Sequence, residues 1–293
     1  MSEAAALRPD AITQDAQAWV GRREERRGAL TPELAGMLGA AVGHPTSAPV
    51  EIRPGSAMPW LWHWAAFPDF VPLAELGRDG HPALGKFLPP LGFSRRMWAA
   101  GRLTFSGDLR IAEPLHRQSE ILSVTEKAGA AGPMVFVRVG HVIEGEHGGR
   151  IEETQDIVYL NIPDRFRPPK AVPLPEDTVF DETVAINEAR LFRYSAATAN
   201  AHRIHYDLPY ARDVEKYPAL VVHGPLQATL LIEAACRHTA MRPAGFAFRG
   251  VHPMFNDGPL RLLGSRLPGE RAIALCAGAA AGHQGLQAKM EWD

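Results

Sequence analysis

Cysteine is scarce in this sequence of 293 residues, which contains only Cys236 and Cys276, each within an apolar run. Two such thiols favour a reduced protein with buried cysteines over a secreted protein held by disulfides, and we expect a cytoplasmic location. Long hydrophobic runs are missing as well, because none approaches the ~20 residues of a membrane span. Residues 1–10 lack the apolar core of a signal peptide. These absences predict a protein without a membrane partner.

An excess of charge of one sign is also absent. Lys and Arg number 31 against 33 Asp and Glu, which gives a formal net charge of −2 at pH 7. Nucleic-acid-binding domains concentrate Lys and Arg on one face or along one helix, so we expect no nucleic-acid partner. The sequence does contain the material of a globular protein, with 46% hydrophobic and 22% charged residues. This composition is sufficient for sizeable cores.

The length allows two domains, since a domain averages ~150 residues. A proline-rich segment at 168–175 is typical of a linker. We therefore predict an N-terminal domain over residues 1–167 and a C-terminal domain over residues 178–293.

The first part combines helical, loop and strand signals. Residues 11–42 are predicted to be helical, with the charged cluster Arg22–Arg27 on a solvated helix face. Thr31 is a suitable residue to begin a helix within this range. Residues 72–94 are rich in Gly and Pro and form a long loop, a kind of segment that often carries binding function. From residue 97 to residue 160, alternating apolar side chains indicate antiparallel strands.

The second part centres on a predicted buried helix. Pro225 suits the first helical position, because proline lacks the N–H that would be unpaired there. The residues from Leu226 to His238 place apolar side chains on nearly all sides of the helix. Strands follow, and in the last one residues 286–292 alternate between apolar and polar. A helix packed against antiparallel strands indicates the α+β class.

Polar residues gather just before this helix. Asn200, His202, Arg203 and His205 lie within a few residues of one another, and Gly224 stands at the helix start. The first N–H groups of a helix and its positive dipole end can hold a carbonyl oxygen, as an oxyanion hole does. Gly224 has no side chain that would block the approach of a ligand. The pattern predicts one active site opposite a helix N-terminus.

The segments Ser195–Asp207 and Leu220–Leu231 resemble the MaoC-like hydratases of hotdog fold. The closer similarity is to their two-hotdog branch, which includes the mitochondrial 3-hydroxyacyl-thioester dehydratases and the mesaconyl-C4-CoA hydratases. The resemblance implies an α+β double hotdog, with two antiparallel sheets each wrapped around a central helix. Because no His-x-x-His motif occurs in the first part, we expect a non-catalytic N-terminal hotdog-like domain and one active site in the C-terminal domain.

One position departs from the wider group, which carries Asp-x-Asn-Pro-x-His with the Asp and the final His as catalytic pair. His205 matches that His, whereas Asn200 stands at the Asp position, His202 at the Asn position and Arg203 at the Pro position. An amide cannot donate or accept a net proton. The base of the usual pair is therefore retained and its carboxylic acid is replaced.

The resemblance predicts catalytic roles for four residues. His205 is expected to take a proton from water, since a neutral imidazole can do so at physiological pH. Asn200 would position the water or the substrate through its amide, or would form a turn. The N–H of Gly224 would polarise the thioester carbonyl. His202 would orient the water or the thioester, or would simply pack.

The implied reaction is the reversible hydration of an enoyl-CoA, with mesaconyl-C4-CoA or itaconyl-CoA converted to citramalyl-CoA. Such a substrate keeps a free carboxylate, whose burial requires a cation. Arg203 or Arg193 could hold it by two parallel hydrogen bonds, although Arg203 could instead form an ion pair with a carboxylate such as Asp207. His223 and Tyr206 are assigned to substrate binding as well.

Other functions stay open at this point. They are a 3-hydroxyacyl-thioester dehydratase of fatty-acid type, a hotdog acyl-CoA thioesterase, since one fold hosts both reactions, and a non-catalytic acyl-CoA-binding subunit. We expect no cofactor beyond the coenzyme A of the substrate. We also expect no metal, because His202 and His205 lack a third Cys or carboxylate at ligand spacing. A homo-oligomer is compatible with the sequence.

Overall fold

The computed structural model describes residues 16–43, 51–129 and 132–293. The strands of this part of the chain are Arg23–Gly28 (β1), Arg95–Ser106 (β2), Leu115–Gly129 (β3), Gly132–Gly145 (β4), Arg150–Leu160 (β5), Phe180–Val184 (β6), Gly245–Gly250 (β7), Leu260–Arg266 (β8), Ala272–Ala279 (β9) and Gln284–Glu291 (β10). Its α-helices are Pro32–Val42 (α1), Glu188–Ala197 (α2) and Gly224–Thr239 (α3). No helix in the described ranges is both long and apolar enough to cross a bilayer.

The ten strands form a single antiparallel sheet in the order β1-β3-β4-β5-β2-β7-β10-β9-β8-β6. Strands β2 and β7 pair from Ala100↔Arg249 to Thr104↔Gly245 and join two five-stranded halves edge to edge. The two sheets implied by the resemblance are therefore two halves of one sheet. The strands predicted between residues 97 and 160 are confirmed as β2 to β5.

Helix α3 is the long buried helix of the second half-sheet and contacts β7, β8, β9 and β10. Leu226, Leu230, Leu231 and Ile232 are all at most 2% exposed. A helix with apolar side chains on all faces is stabilised only when all those faces are removed from water. The prediction of a buried helix in this part of the chain is confirmed.

The charged cluster Arg22–Arg27 does not lie on a helix, and this part of the helical prediction is wrong. Most of the cluster lies in β1, which pairs antiparallel with β3, and Arg23 Nε donates to Glu120 Oε2 at 2.8 Å. Arg and Glu favour helices when they are judged in isolation. Pairing along the open edge of β3 overrides that local preference.

Residues 18–21 form turns and residues 29–31 are irregular, so the helical prediction for residues 11–42 is confirmed only for the segment that forms α1. This helix begins after Thr31, whose hydroxyl accepts the N–H of Leu34 at 3.3 Å. Residues 11–15 lie outside the described residues. The last strand is confirmed as β10.

The proline-rich segment 168–175 lies in the irregular connection between β5 and β6. The two halves share one hydrophobic core, which contains Trp62 from the first half and Leu231 from the second. The division into domains 1–167 and 178–293 stays a prediction. What the fold shows is that residues from both parts meet at the seam between the half-sheets.

Candidate active site

A cavity of about 780 Å³ lies between the two halves of the molecule. The first half contributes the loop before β2 and the start of β2 itself, and the second half contributes the polar motif and the start of α3. All four residues predicted to be catalytic line this cavity, together with polar residues of the first half. The polar lining residues used below are His81, Arg96, Asn200, His202 and His205, with Gly224 at the helix start.

His205 is held as a neutral imidazole with one nitrogen directed at the cavity. It ends the 3₁₀ turn Arg203–His205 and is 6% exposed. Its Nδ1 lies 2.8 Å from Val221 O, and because a carbonyl oxygen can only accept, Nδ1 must carry the hydrogen. Nε2 is then the proton acceptor. Burial lowers the pKa of His205 to about 3, so the ring is neutral at physiological pH.

The His223 ring packs against the face of the His205 ring. The two rings stack with centroids 3.6 Å apart and planes 20° apart. His223 Nε2 lies 2.8 Å from Ser195 Oγ, and the side chain is fully buried and does not line the cavity. Burial lowers its pKa well below the usual value. This geometry favours a role in fixing the His205 ring over the substrate contact predicted for His223.

Asn200 lines the cavity, and its amide keeps an unpaired donor. Its Oδ1 accepts the N–H of His202 at 3.0 Å, so the amide forms the turn that was its alternative role. That hydrogen bond identifies the oxygen and leaves the Nδ2 group on the other side. No described residue accepts from Nδ2, which is free to donate to a ligand. His202 places its ring edge-on to His205, with centroids 5.4 Å apart.

Gly224 begins α3 at the wall of the cavity. A Cβ added to it would meet nothing within 4 Å, so the absent side chain leaves open space for a ligand. In the part of the chain that the structure describes, no acceptor takes the Gly224 N–H. Pro225 has no N–H of its own. The Gly224 N–H is therefore a free donor at the positive end of a helix.

Arg203 is directed away from the cavity. Its Nε and Nη2 donate to Asp207 Oδ2 at 2.9 and 2.7 Å, and its Nη1 donates to Arg78 O at 3.1 Å. The guanidinium also lies 4.2 Å over the ring of Tyr210. The ion-pair alternative for Arg203 is confirmed, and a contact between this guanidinium and a ligand in the cavity is not supported.

Two further residues predicted to bind substrate also lie outside the cavity wall. Arg193 is on the exposed face of α2. Tyr206 is 45% exposed and donates its hydroxyl hydrogen to Ala201 O at 2.9 Å. Neither of the two arginines predicted to bind the free carboxylate lines the cavity.

The loop before β2 supplies groups that were predicted only as an unspecified binding loop. His81 Nδ1 lies 2.9 Å from Asp79 Oδ2, and the His81 ring lies 4.1 Å from that of His202. Gly80 has φ +88°, and a Cβ there would lie 1.9 Å from Ala201 O. Only glycine permits this approach of the loop to the motif. The loop is thereby fixed against the catalytic residues.

Asp79, His81 and His202 bring ligand-type atoms within 4.8 Å of one another. The sequence offers no third ligand close to His202 and His205, whereas the fold brings Asp79 and His81 next to His202. His81 Nδ1 and Asp79 Oδ2 are already paired with each other at 2.9 Å. The expectation of a metal-free site stays a prediction, which metal analysis of the purified protein tests.

Solved structures share this architecture. A MaoC-like dehydratase matches 95% of this chain and 100% of its own length with a TM-score of 0.68 at 13% identity. A Mycobacterium tuberculosis protein described as a double hotdog matches 92% of this chain and 95% of its own length, with a TM-score of 0.56 at 12% identity. The α+β double hotdog is confirmed.

The solved structures define the class of the fold as a double hotdog, and the relatives that follow define the reaction class as that of a hydro-lyase. The profile of hydroxyacyl-thioester dehydratase type 2 matches residues 61–256. A mesaconyl-C(4)-CoA hydratase of Chloroflexus aurantiacus is 43% identical over 258 residues, which are 88% of this chain and 91% of that relative. The chain belongs to the hydroxyacyl-thioester dehydratase type 2 family.

Proposed function

We propose that this protein catalyses the reversible hydration of a short dicarboxylic enoyl-CoA of the mesaconyl-C4-CoA kind, with citramalyl-CoA as the product. The observation that carries the proposal is the His205 imidazole, whose Nε2 is free while its Nδ1 donates to Val221 O. The similarity to the Chloroflexus aurantiacus hydratase over most of both chains supports the choice of substrate. The acyl-CoA is the partner of the site, and no further cofactor enters the reaction.

The reaction begins with the thioester carbonyl oxygen on the free N–H of Gly224. This donor stabilises the negative charge that develops on the oxygen as the carbonyl becomes an enolate. His205 Nε2 removes a proton from a water molecule, whose oxygen forms a bond to the β carbon while the double bond opens. The enolate then collapses and the α carbon gains a proton.

His205 can serve both proton transfers. Nε2 carries the proton taken from water and gives it to the α carbon, so one residue begins and ends the reaction in the neutral form. Asn200 cannot carry a proton, and its Nδ2 hydrogens hold the oxygen of the attacking water instead. In this mechanism His205 transfers the protons and Asn200 positions the water.

The test is product analysis with purified protein and two substrates, mesaconyl-C4-CoA and crotonyl-CoA. A hydratase consumes the enoyl thioester and forms the hydroxyacyl thioester without releasing free thiol. Thiol release would instead identify a thioesterase, and tight binding without turnover would identify a binding subunit. A strong preference for crotonyl-CoA or longer straight chains would place the activity with the fatty-acid type of dehydratase.

A further inference from the structure

Cationic side chains around the cavity differ in whether an acidic group already neutralises them. The cations at its wall are Arg26, Lys86, Arg96 and Arg117. Arg26 contacts Glu24 and Asp69, Lys86 contacts Glu75, and Arg117 lies 3.7 Å from Glu24. Of these four, Arg96 alone forms no ion pair with a described carboxylate.

Arg96 is nevertheless held in place. It lies near the start of β2 and is half-buried, and its Nη2 donates to Pro82 O at 2.7 Å. Tyr159 is its direct partner across the β2–β5 pair, and residues paired in this way point to the same face of a sheet. The Tyr159 ring is 1% exposed. The guanidinium therefore lies beside the buried Tyr159, whose hydroxyl group interacts with it, and it has further N–H donors available for a ligand.

The position of Arg96 is beside the catalytic groups. Pro82, which accepts its hydrogen bond, directly follows His81, and the His81 ring lies 4.1 Å from that of His202. The charge of Arg96 contributes to lowering the pKa of both His81 and His202, although burial is the larger cause. Both observations place the positive charge of Arg96 at the reacting end of the cavity. The carboxylate of Asp79, which is paired with His81, interacts with that charge without a direct ion pair.

The proposed substrate needs a cation at that end. In mesaconyl-C4-CoA the free carboxylate is attached to the β carbon, the same atom that water attacks. When the β carbon reaches His205, the carboxylate must lie within a few ångströms of the histidines. A carboxylate removed from water without a partner is strongly destabilised. A cation at the mouth of the cavity could not compensate it.

We infer that Arg96 binds the free carboxylate of a dicarboxylic enoyl-CoA and so selects this substrate over a monocarboxylic one. The inference rests on the proposed function. A guanidinium can hold both carboxylate oxygens through parallel N–H groups, which a lysine cannot reproduce. Binding the carboxylate also fixes the β carbon relative to His205, because the two groups are joined by one bond.

Three variants on β2 test the inference: Arg96→Met, Arg96→Lys and the control Arg102→Met. Arg102 is an exposed arginine of the same strand and does not line this cavity. We measure kcat/KM for mesaconyl-C4-CoA and crotonyl-CoA with each. Arg96→Met should lose roughly 10²–10³-fold on mesaconyl-C4-CoA, the effect of removing one partner of a buried charge pair, and less than about threefold on crotonyl-CoA. Arg96→Lys should lose less, and Arg102→Met should match the unaltered protein.

A second test changes the substrate as well as the protein. The methyl ester of mesaconyl-C4-CoA keeps the branched enoyl skeleton, removes the charge of the carboxylate and adds one methyl group, whose steric effect is the same in each protein variant compared. The unaltered protein should hydrate the acid far faster than the ester, whereas Arg96→Met should treat the two nearly alike. This comparison still decides the matter if Arg96→Met folds poorly.

The possible outcomes distinguish the role of Arg96 from the substrate assignment and from the hydratase function. Equal losses on both substrates in Arg96→Met, or equal rates for acid and ester in the unaltered protein, would overturn the role of Arg96 and leave the hydratase function standing. An unaltered protein that hydrates crotonyl-CoA and ignores mesaconyl-C4-CoA would overturn the substrate assignment itself. An unaltered protein that hydrates neither would overturn the proposed function.

Discussion

The second half of the sheet packs around α3, a helix of 16 residues, whereas the helix of the first half, α1, packs against α2 and the 3₁₀ turn Trp62–Ala65. The difference decides what each half contributes to the cavity. The second half presents a helix N-terminus and a neutral histidine, which are the groups for proton transfer and charge stabilisation. The first half presents a loop that carries His81 and a strand that carries Arg96, which forms no ion pair with a described carboxylate. The comparison leads us to propose that chemistry and selection come from different halves of one sheet.

The largest effect should come from the second half, in His205→Ala. Removal of a general base typically costs ~10²–10⁴-fold, and the loss should be equal on mesaconyl-C4-CoA and crotonyl-CoA because both need the same proton transfer. The measurement is kcat/KM on the two substrates, with circular dichroism to confirm folding. A folded variant with near-full activity would exclude His205 as the base.

Gly224→Val should have the next largest effect, again on both substrates. A side chain there would occupy the open space in front of the free N–H, and the loss of one oxyanion donor costs roughly 10²–10³-fold. Because an added Cβ meets no atom within 4 Å, the melting temperature should change little. Gly224→Ala serves as the milder control. A steep fall in melting temperature with unchanged activity per folded molecule would mean that the glycine is needed only for the turn.

Asn200→Asp should affect the two substrates differently. The substitution is in the second half, but its effect depends on whether the substrate carries a free carboxylate. The aspartate can still accept the His202 N–H, so the turn should persist. Its negative charge would repel the free carboxylate held by Arg96, and we expect a loss of roughly tenfold or more on mesaconyl-C4-CoA. Crotonyl-CoA carries no such carboxylate and should lose less. Equal changes in kcat/KM on both substrates would contradict this electrostatic reading.

The smallest effect concerns pH. Burial holds the pKa of His205 at about 3, so kcat/KM should show no loss with a midpoint near 6.5, where a free histidine titrates. The free energy of unfolding should depend on pH in this range, because the histidines bind protons in the unfolded chain that they do not bind when buried. The free energy of unfolding should therefore fall as pH drops below about 6.5 towards the folded-state pKa. Rate profiles and urea denaturation between pH 5 and 8 measure the two quantities, and a rate midpoint near 6.5 would contradict the neutral buried base.

The contrast between the halves also explains which features could be predicted from the sequence. His205, Asn200 and Gly224 lie within 25 residues of one another in the sequence, and they do meet at one cavity. The cation could not be found in the same way, because Arg96 is more than a hundred residues from the motif. The pairing of β2 with β7 and the buried ion pair of Arg95 with Glu215 bring that strand to the site.

Two local features misled prediction for physical reasons. Arg203 lies between the motif histidines in sequence, yet the 3₁₀ turn directs it outwards to Asp207. The charged residues of β1 have helical preferences that the open edge of β3 overrides. In both places the deciding interaction is a geometry that residue types alone do not specify.

The most direct test of the division between the halves is one ratio, kcat/KM for mesaconyl-C4-CoA divided by kcat/KM for crotonyl-CoA. It is measured in the unaltered protein, in His205→Ala, in Arg96→Met and in the double variant. We predict that His205→Ala lowers both rates and leaves the ratio unchanged, whereas Arg96→Met lowers the ratio roughly 10²-fold or more, alone or combined with His205→Ala. A ratio that changes in His205→Ala, or that stays constant in Arg96→Met, would contradict the assignment of chemistry to the second half and selection to the first.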